Sequence, residues 1–163
     1  MESLLPLAEK AADLLKSRKE KIALGESSVG GLVSAALIAQ PGASAFFLGS
    51  TVIYTREAGR VLRDRSTLKL EGLEPLTPEF AQAMADGFKI QMGSDWATSE
   101  MGAAGPAGSP YGPKPGTAVV AVSGPVSRAR LIETDIGDRF QNMRLFGMAH
   151  LKLLVECLEE ASA

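Results

Sequence analysis

Apolar residues recur at helical spacing from the start of the chain: Leu4, Leu7, Ala8, Ala11, Leu14 and Leu15 share one face, and charged residues occupy the other. That periodicity predicts an amphipathic helix from Leu4 to Arg18. The short apolar run Ile22-Ala23-Leu24 suits a buried strand, ended by Gly25. Gly30-Gly31 opens a second helical segment, Leu32 to Ala39, which Pro41-Gly42 terminates. Phe46 to Tyr54 is rich in β-branched and aromatic residues and reads as a strand, followed by a helix from Arg56 to about Arg63. Thr77-Pro78 combines a capping side chain with proline in the first turn and predicts a helix to Met92, stopped by Gly93. Trp96 to Ser99 and Thr117 to Val122 read as strands, with Ala129 to Thr134 as another at a sheet edge. A long final helix starts near Asp138 and carries Phe140, Met143, Leu145, Met148, Leu151, Leu154 and Leu158.

Alternating helices and short strands predict a layered α/β sandwich. The 163 residues are 45% apolar, enough to fill the core of a single domain spanning 1–163. The formal net charge of -2 leaves no cationic excess for counterion release from nucleic acid. No apolar stretch approaches the roughly 20 residues that span a bilayer, and the N-terminus has neither basic residues nor a signal-like apolar region. A lone cysteine, Cys157, offers no disulfide framework and no thiol ligand set for a metal. These features predict a cytoplasmic protein without nucleic-acid or membrane partners. No metal or cofactor is expected.

Two stretches stand out chemically. Gly25-Glu26-Ser27-Ser28-Val29-Gly30-Gly31 joins a strand to a helix, so its N–H groups and the helix dipole favour an anion such as phosphate above the turn. Ser27 and Ser28 sit there at the C-terminal end of a strand, where open α/β sheets bind ligands. The plainer reading is a serine cap with glycines that permit tight helix packing. Between Gly102 and Gly116, nine of fifteen residues are Gly or Pro, which excludes regular structure and leaves either a floppy connection or a ligand-binding lid. His150 lies in the final helix far from any obvious partner and reads as a surface or packing residue.

Five ordered motifs carry a family resemblance over nearly the whole chain. ESSVGGLVSAALIAQPGASAFFLGSTVIY resembles a turn of the form A-E-S-C-T-G-G with its helix, Pro-Gly turn and strand ending in tyrosine. YTREAGR resembles Y-[ST]-N-E-A-K, MGAAGPAG resembles T-G-I-A-G-P-x-G, KPGTAVVAV resembles K-P-V-G-T-V, and GDRFQNMR resembles G-[DS]-R-x-x-[IN]-R. All are motifs of the C-terminal domain of the competence/damage-inducible protein CinA, the nicotinamide mononucleotide amidohydrolases. The resemblance implies a three-layer α/β/α sandwich with a central mixed sheet, and a homo-oligomer.

In that family a serine attacks the carboxamide of nicotinamide mononucleotide, releasing ammonia and leaving an acyl-enzyme that water hydrolyses, with a lysine and a tyrosine activating it. The resemblance puts the nucleophile at Ser27 and the tyrosine at Tyr54. The lysine falls on Gly59, the family threonine on Met101, the Cys-Thr pair on Ser28-Val29, and the Asn before Glu-Ala on Arg56. Arginine stays protonated and supplies no base, though Arg60 suits a carboxylate or phosphate. Glu26, Gly30, Gly31, Glu57, Gly102, Gly105, Pro106, Lys114, Arg139 and Arg144 match the family, and Glu26, Ser28, Gly30, Gly31, Arg56, Arg60, Gly102, Gly105, Lys114, Arg139 and Arg144 form the candidate ligand-binding set. Each also has a plain role: Glu26 pairing with nearby backbone or Arg139, Tyr54 buried in its strand, Arg144 on a helix surface.

Two functions follow. One is an amidohydrolase in which loop closure brings the amine of Lys114 to Ser27 as a substitute base. The other is a member that binds a nucleotide or another anionic metabolite without turning it over. An assembly role through the apolar face of the final helix is a weaker third.

Overall fold

The computed structural model describes residues 1–63 and 68–162. Five strands form one mixed sheet: β1 (Ile22–Glu26), β2 (Phe47–Val52), β3 (Trp96–Ala103), β4 (Thr117–Ser123) and β5 (Arg128–Glu133), in the order β2-β1-β3-β4-β5. β1 runs parallel to both β2 and β3, while β4 is antiparallel to β3 and to β5. Position in the sheet explains the sequence pattern. β1 and β4 are interior strands and buried along their whole lengths, whereas β2 and β5 are edges with one face partly exposed.

The helices are α1 (Leu5–Arg18), α2 (Leu32–Ile38), α3 (Arg56–Arg63), α4 (Pro78–Met92) and α5 (Arg139–Glu160). α4 packs across β1, β3, β4 and β5 on one face; α5 covers β3, β4 and β5 on the other, with α1 and α2 packed against it. This is the three-layer α/β/α arrangement. The main core lies on the α5 side, where Leu4, Leu15, Trp96, Phe46, Phe146 and Leu154 are fully buried. A smaller cluster of Leu76, Ala81, Ala85, Val119 and Ala121 fills the α4 side.

The ends of the long helices follow local chemistry. Thr77 Oγ1 accepts from the Phe80 N–H at 3.2 Å, Pro78 occupies the first turn, and Gly93 closes α4 at φ 60°. Asp138 caps α5 by accepting from the Gln141 N–H at 2.7 Å. His150 is fully buried on α5 with neither ring nitrogen hydrogen-bonded, and burial lowers its pKa to about 3, so the ring packs in the neutral form. The packing alternative therefore holds over the surface one.

Three boundaries differ from the sequence expectation. β3 continues past Ser99 to Ala103 because β4 pairs with it from Ala97 to Ala103, a tertiary effect that Met101-Gly102 conceals locally. β2 ends at Val52; the Ile53 N–H still donates to the Glu26 carbonyl at 2.8 Å, and Tyr54 lies just beyond that last bond to β1. β1 does not stop at Gly25 but runs to Glu26. Glycine is needed at 25 because a Cβ there would lie 1.9 Å from Cε2 of the buried Phe88 ring on α4. Gly25→Ala is accordingly expected to lower stability by about 1–3 kcal/mol, the usual cost of overpacking. Urea unfolding checks it, with an unchanged midpoint contradicting the close α4–β1 approach.

Candidate functional site

Because β1 and β3 are parallel, their C-terminal ends emerge on the same side of the sheet, where the β1–α2 turn, the β2–α3 junction and the Gly/Pro loop meet. A cavity of about 690 Å³ opens there. Its walls come from Glu26 and Ser27, from 53–60 at the β2–α3 junction, from 68–76 and the start of α4, from Ser99 to Ala104, from the loop up to Tyr111, and from Arg139. Ser27 and Tyr54 thus border one cavity, as the family resemblance implies.

The turn itself is gripped by two carboxylates of the protein. The Ser27 and Val29 N–H groups donate to Glu100 Oε2 at 3.0 and 3.2 Å, and the Ser28 hydroxyl donates to Oε1. Glu26 accepts from the Val33 and Ser34 N–H groups at 3.3 and 2.8 Å and from the Ser34 hydroxyl, capping α2. The anion expected above this turn is therefore built in. Glu26 pairs with nearby backbone, the plainer of its two readings, and Ser28 is buried with its hydroxyl committed rather than lining the cavity. Gly30 and Gly31, at φ 66° and 92°, turn the chain into α2 and do not line the cavity.

Arg139 spans the mouth. Its Nη1 donates to the Gly105 carbonyl at 2.8 Å and its Nη2 to the Tyr54 hydroxyl at 2.5 Å. Tyr54 is 60% exposed, so the alternative of a tyrosine buried in its strand does not hold. Arg56 lies 4.6 Å from the ring centroid of Tyr111 and donates to the Pro110 carbonyl at 3.5 Å, joining α3 to the Gly/Pro loop. That loop has its own hydrogen bonds, including Ser109 N–H to the Pro113 carbonyl at 2.9 Å, and is a folded wall rather than a floppy connection. Arg60 also borders the cavity.

Gly102 lets the walls meet: a Cβ there would come within 2.6 Å of Ser28 Oγ and 2.9 Å of both Ala118 Cβ and Phe146 Cε2. Gly105, at φ 100°, brings a second cavity wall close to the Gly137 carbonyl, 2.8 Å from where its Cβ would stand. Gly59 is different, since among the described residues an added Cβ would meet only Ile53 Cγ2, at 3.8 Å. Met101 lines the cavity where the family has threonine.

Two expected residues lie elsewhere. Lys114 is exposed and ion-paired to Asp135 at 2.7 Å and Glu133 at 3.4 Å, and these carboxylates push its pKa up and keep the amine charged. A desolvated neutral amine at Ser27 is not what this geometry provides. Arg144 is exposed in a separate groove on α5 with Asp138, Phe140 and Met148.

Glu100 is the residue that sequence reasoning missed. It is 3% exposed and borders the cavity beside Ser27. Burial raises its pKa from 4.5 to about 7, opposed by hydrogen bonds from Ser28, Ser27 and Val29 and assisted by the Glu26 charge. The strand read from the sequence stops at Ser99, so Glu100 falls just outside it, directly before Met101-Gly102. Between pH 4.5 and 7 the folded protein holds a proton at Glu100 that the unfolded chain has released, so stability falls as pH rises through this window. At about 1.4 kcal/mol per pH unit the loss amounts to about 3 kcal/mol. Glu100→Gln, which has no charge to desolvate, is expected to flatten that slope, as read by urea unfolding from pH 4 to 8. An equal slope in both proteins would remove Glu100 as its source.

The profile of the CinA C-terminal domain matches residues 4–158. A CinA-like protein of Chloroherpeton thalassium is 38% identical over 160 residues, covering 94% of this chain and 38% of its own length. One from Prochlorococcus marinus (strain MIT 9313) is 37% identical over 119 residues, covering 73% of this chain and 28% of its own. The chain thus spans well under half the length of these curated relatives. The crystal structure of a competence-damaged protein (CinA) superfamily member from Klebsiella pneumoniae 700603 aligns with TM-score 0.85 at 25% identity, covering 96% of this chain and 98% of that one. The competence damage-inducible protein A from Klebsiella pneumoniae MGH 78578 aligns at 0.84 and 26%, covering 96% and 97%. The chain belongs to the CinA C-terminal domain family.

Proposed function

We propose that the cavity binds nicotinamide mononucleotide or a closely related carboxamide nucleotide, with Ser27 at the carboxamide and the arginines at the phosphate. The observation that carries this reading is the convergence of Ser27 and Tyr54 with Arg56, Arg60 and Arg139 on one cavity. Its volume of about 690 Å³ lies within the range of small-molecule sites. Guanidinium groups bind phosphate through paired hydrogen bonds, and the partly apolar walls accept a ring.

The family's lysine-assisted route is closed to this chain. Gly59 has no side chain, Lys114 is held on the surface, and among the described residues no lysine or histidine borders the cavity. A serine hydroxyl needs a proton acceptor, and the arginines do not supply one. Binding is thus the function that the site supports most directly, and turnover depends on an acceptor other than an amine.

Nicotinamide mononucleotide is expected to raise the melting temperature, with the rise following mass action. Arg60→Ala and Arg139→Ala are each expected to weaken binding at least about tenfold, equivalent to about 1.4 kcal/mol. Calorimetry measures both, and no binding at millimolar ligand by the unaltered protein would refute the reading. Gly59→Lys is expected to fold normally, because the added Cβ finds space, and to raise ammonia release at least about tenfold. A folded, ligand-binding variant without that gain would show that position 59 does not address Ser27.

A further inference from the structure

A carboxyl group taken out of water is costly unless a cation or several donors compensate it. Glu100 has no cationic partner among its hydrogen bonds: two backbone N–H groups and one hydroxyl hold it, all from Ser27, Ser28 and Val29. It is nonetheless not sealed in the core, since it forms part of the cavity wall next to Ser27. The Ser27 amide nitrogen lies 3.0 Å from Glu100 Oε2, and the hydroxyl of the same residue turns about the Cα–Cβ bond among staggered rotamers, two of which are gauche to that nitrogen. Of the carboxylates on the cavity among the described residues, Glu26 is committed to the Val33 and Ser34 donors, and Glu100 is the one hydrogen-bonded to Ser27.

We infer that Glu100 is the proton acceptor for Ser27 in hydrolysis of a carboxamide ligand, replacing an amine base with a carboxylate delivered from the opposite wall. The inference rests on the binding reading above. As Ser27 Oγ bonds to the carboxamide carbon, its proton passes to Glu100. The C–N bond then breaks and ammonia leaves with that proton, giving an acyl-serine. Water attacks the acyl carbon, its proton goes to Glu100 and then to the departing Ser27 oxygen, and a carboxylic acid is released that ionises in solution. One carboxamide and one water are consumed, and one carboxylate and one ammonium are formed, without oxidant or cofactor.

The environment suits the task. A general base works best with a pKa near the working pH, and burial holds Glu100 at about 7. Glu26 on β1 adds to that elevation; Arg56, Glu57 and Arg60 of α3 and Arg139 of α5 border the same cavity, while α4 contributes only Phe80, Ala81 and Met84 to it. Ser28 acts through Glu100 as a positioning residue, since its hydrogen bond favours the ionised form.

The test measures ammonia release from nicotinamide mononucleotide and binding of the same compound, for the unaltered chain, Glu100→Gln, Glu100→Asp and Ser28→Ala, each confirmed folded by its melting curve. The unaltered chain is expected to turn over with kcat rising through a limb near pH 7. Glu100→Gln is expected to lose at least about a hundredfold in kcat with affinity within about threefold, and Glu100→Asp to retain part of the activity. Ser28→Ala is expected to move the limb to higher pH, because a donor favouring the carboxylate is gone. Turnover that survives Glu100→Gln, or binding by the unaltered chain with no ammonia formed, overturns the inference and leaves the binding reading standing. If the unaltered chain fails to bind, the binding reading falls and this inference falls with it.

Discussion

The grip of Glu100 on the Ser27–Val29 turn is the constraint on which the site depends. Two N–H groups and a hydroxyl of one short turn converge on a single carboxylate from β3, tying the end of one parallel strand to the turn that follows its neighbour. Such convergence needs donors with no other acceptor, which is what a chain leaving a strand for a helix provides. The same turn is stabilised from behind by Glu26, so the positive end of α2 is answered by a side chain and not left for a ligand. With both carboxylates in place, the backbone of Ser27 is fixed and only its side chain keeps freedom toward the cavity.

Charge is distributed across the cavity accordingly. Its buried carboxylates are Glu26 and Glu100, while the exposed part of the lining carries Arg56, Arg60 and Arg139 together with Glu57. The Tyr54 hydroxyl, held by Arg139, stands at the boundary between these zones. Tyr54 follows the last bond between β2 and β1, from the Ile53 N–H to the Glu26 carbonyl, and so stands at the end of the strand beside the cavity.

The layers and most element types were legible because they depend on local periodicity and caps: the apolar stripe of α1, Thr77-Pro78 opening α4, and the continuous apolar β4 announce themselves. The convergence of Ser27 and Tyr54 was legible only through family motifs, since 27 residues separate them and no spacing rule joins a turn to a strand end. Glu100 was not legible. It contacts residues 71–73 positions away, and a glutamate in a strand ordinarily reads as a solvent-facing residue. The choice between an anion site and a plain cap at this turn stayed open for the same reason: sequence shows the donors of a turn, but the acceptor that satisfies them comes from another strand. Lys114 failed as a base through a similar long-range effect, with Glu133 and Asp135 of the β5 region capturing it.

Under the proposed reading, these placements bear on which group could take the proton of Ser27 when position 59 is glycine. A lysine at position 59 would approach from α3, on the outer wall, and would have to be desolvated by the closed loop before it became neutral. A carboxylate from β3 needs no such closure, because the sheet that positions it also removes it from water. The same burial that raises its pKa makes it costly to keep ionised, and the three donors from the Ser27 turn offset part of that cost. Fold stability and proton affinity are therefore coupled at one residue: weakening the turn's grip makes the carboxyl a stronger base and the turn a looser one. That opposition, set by the three hydrogen bonds from the β1–α2 turn, limits how far either property can change without the other.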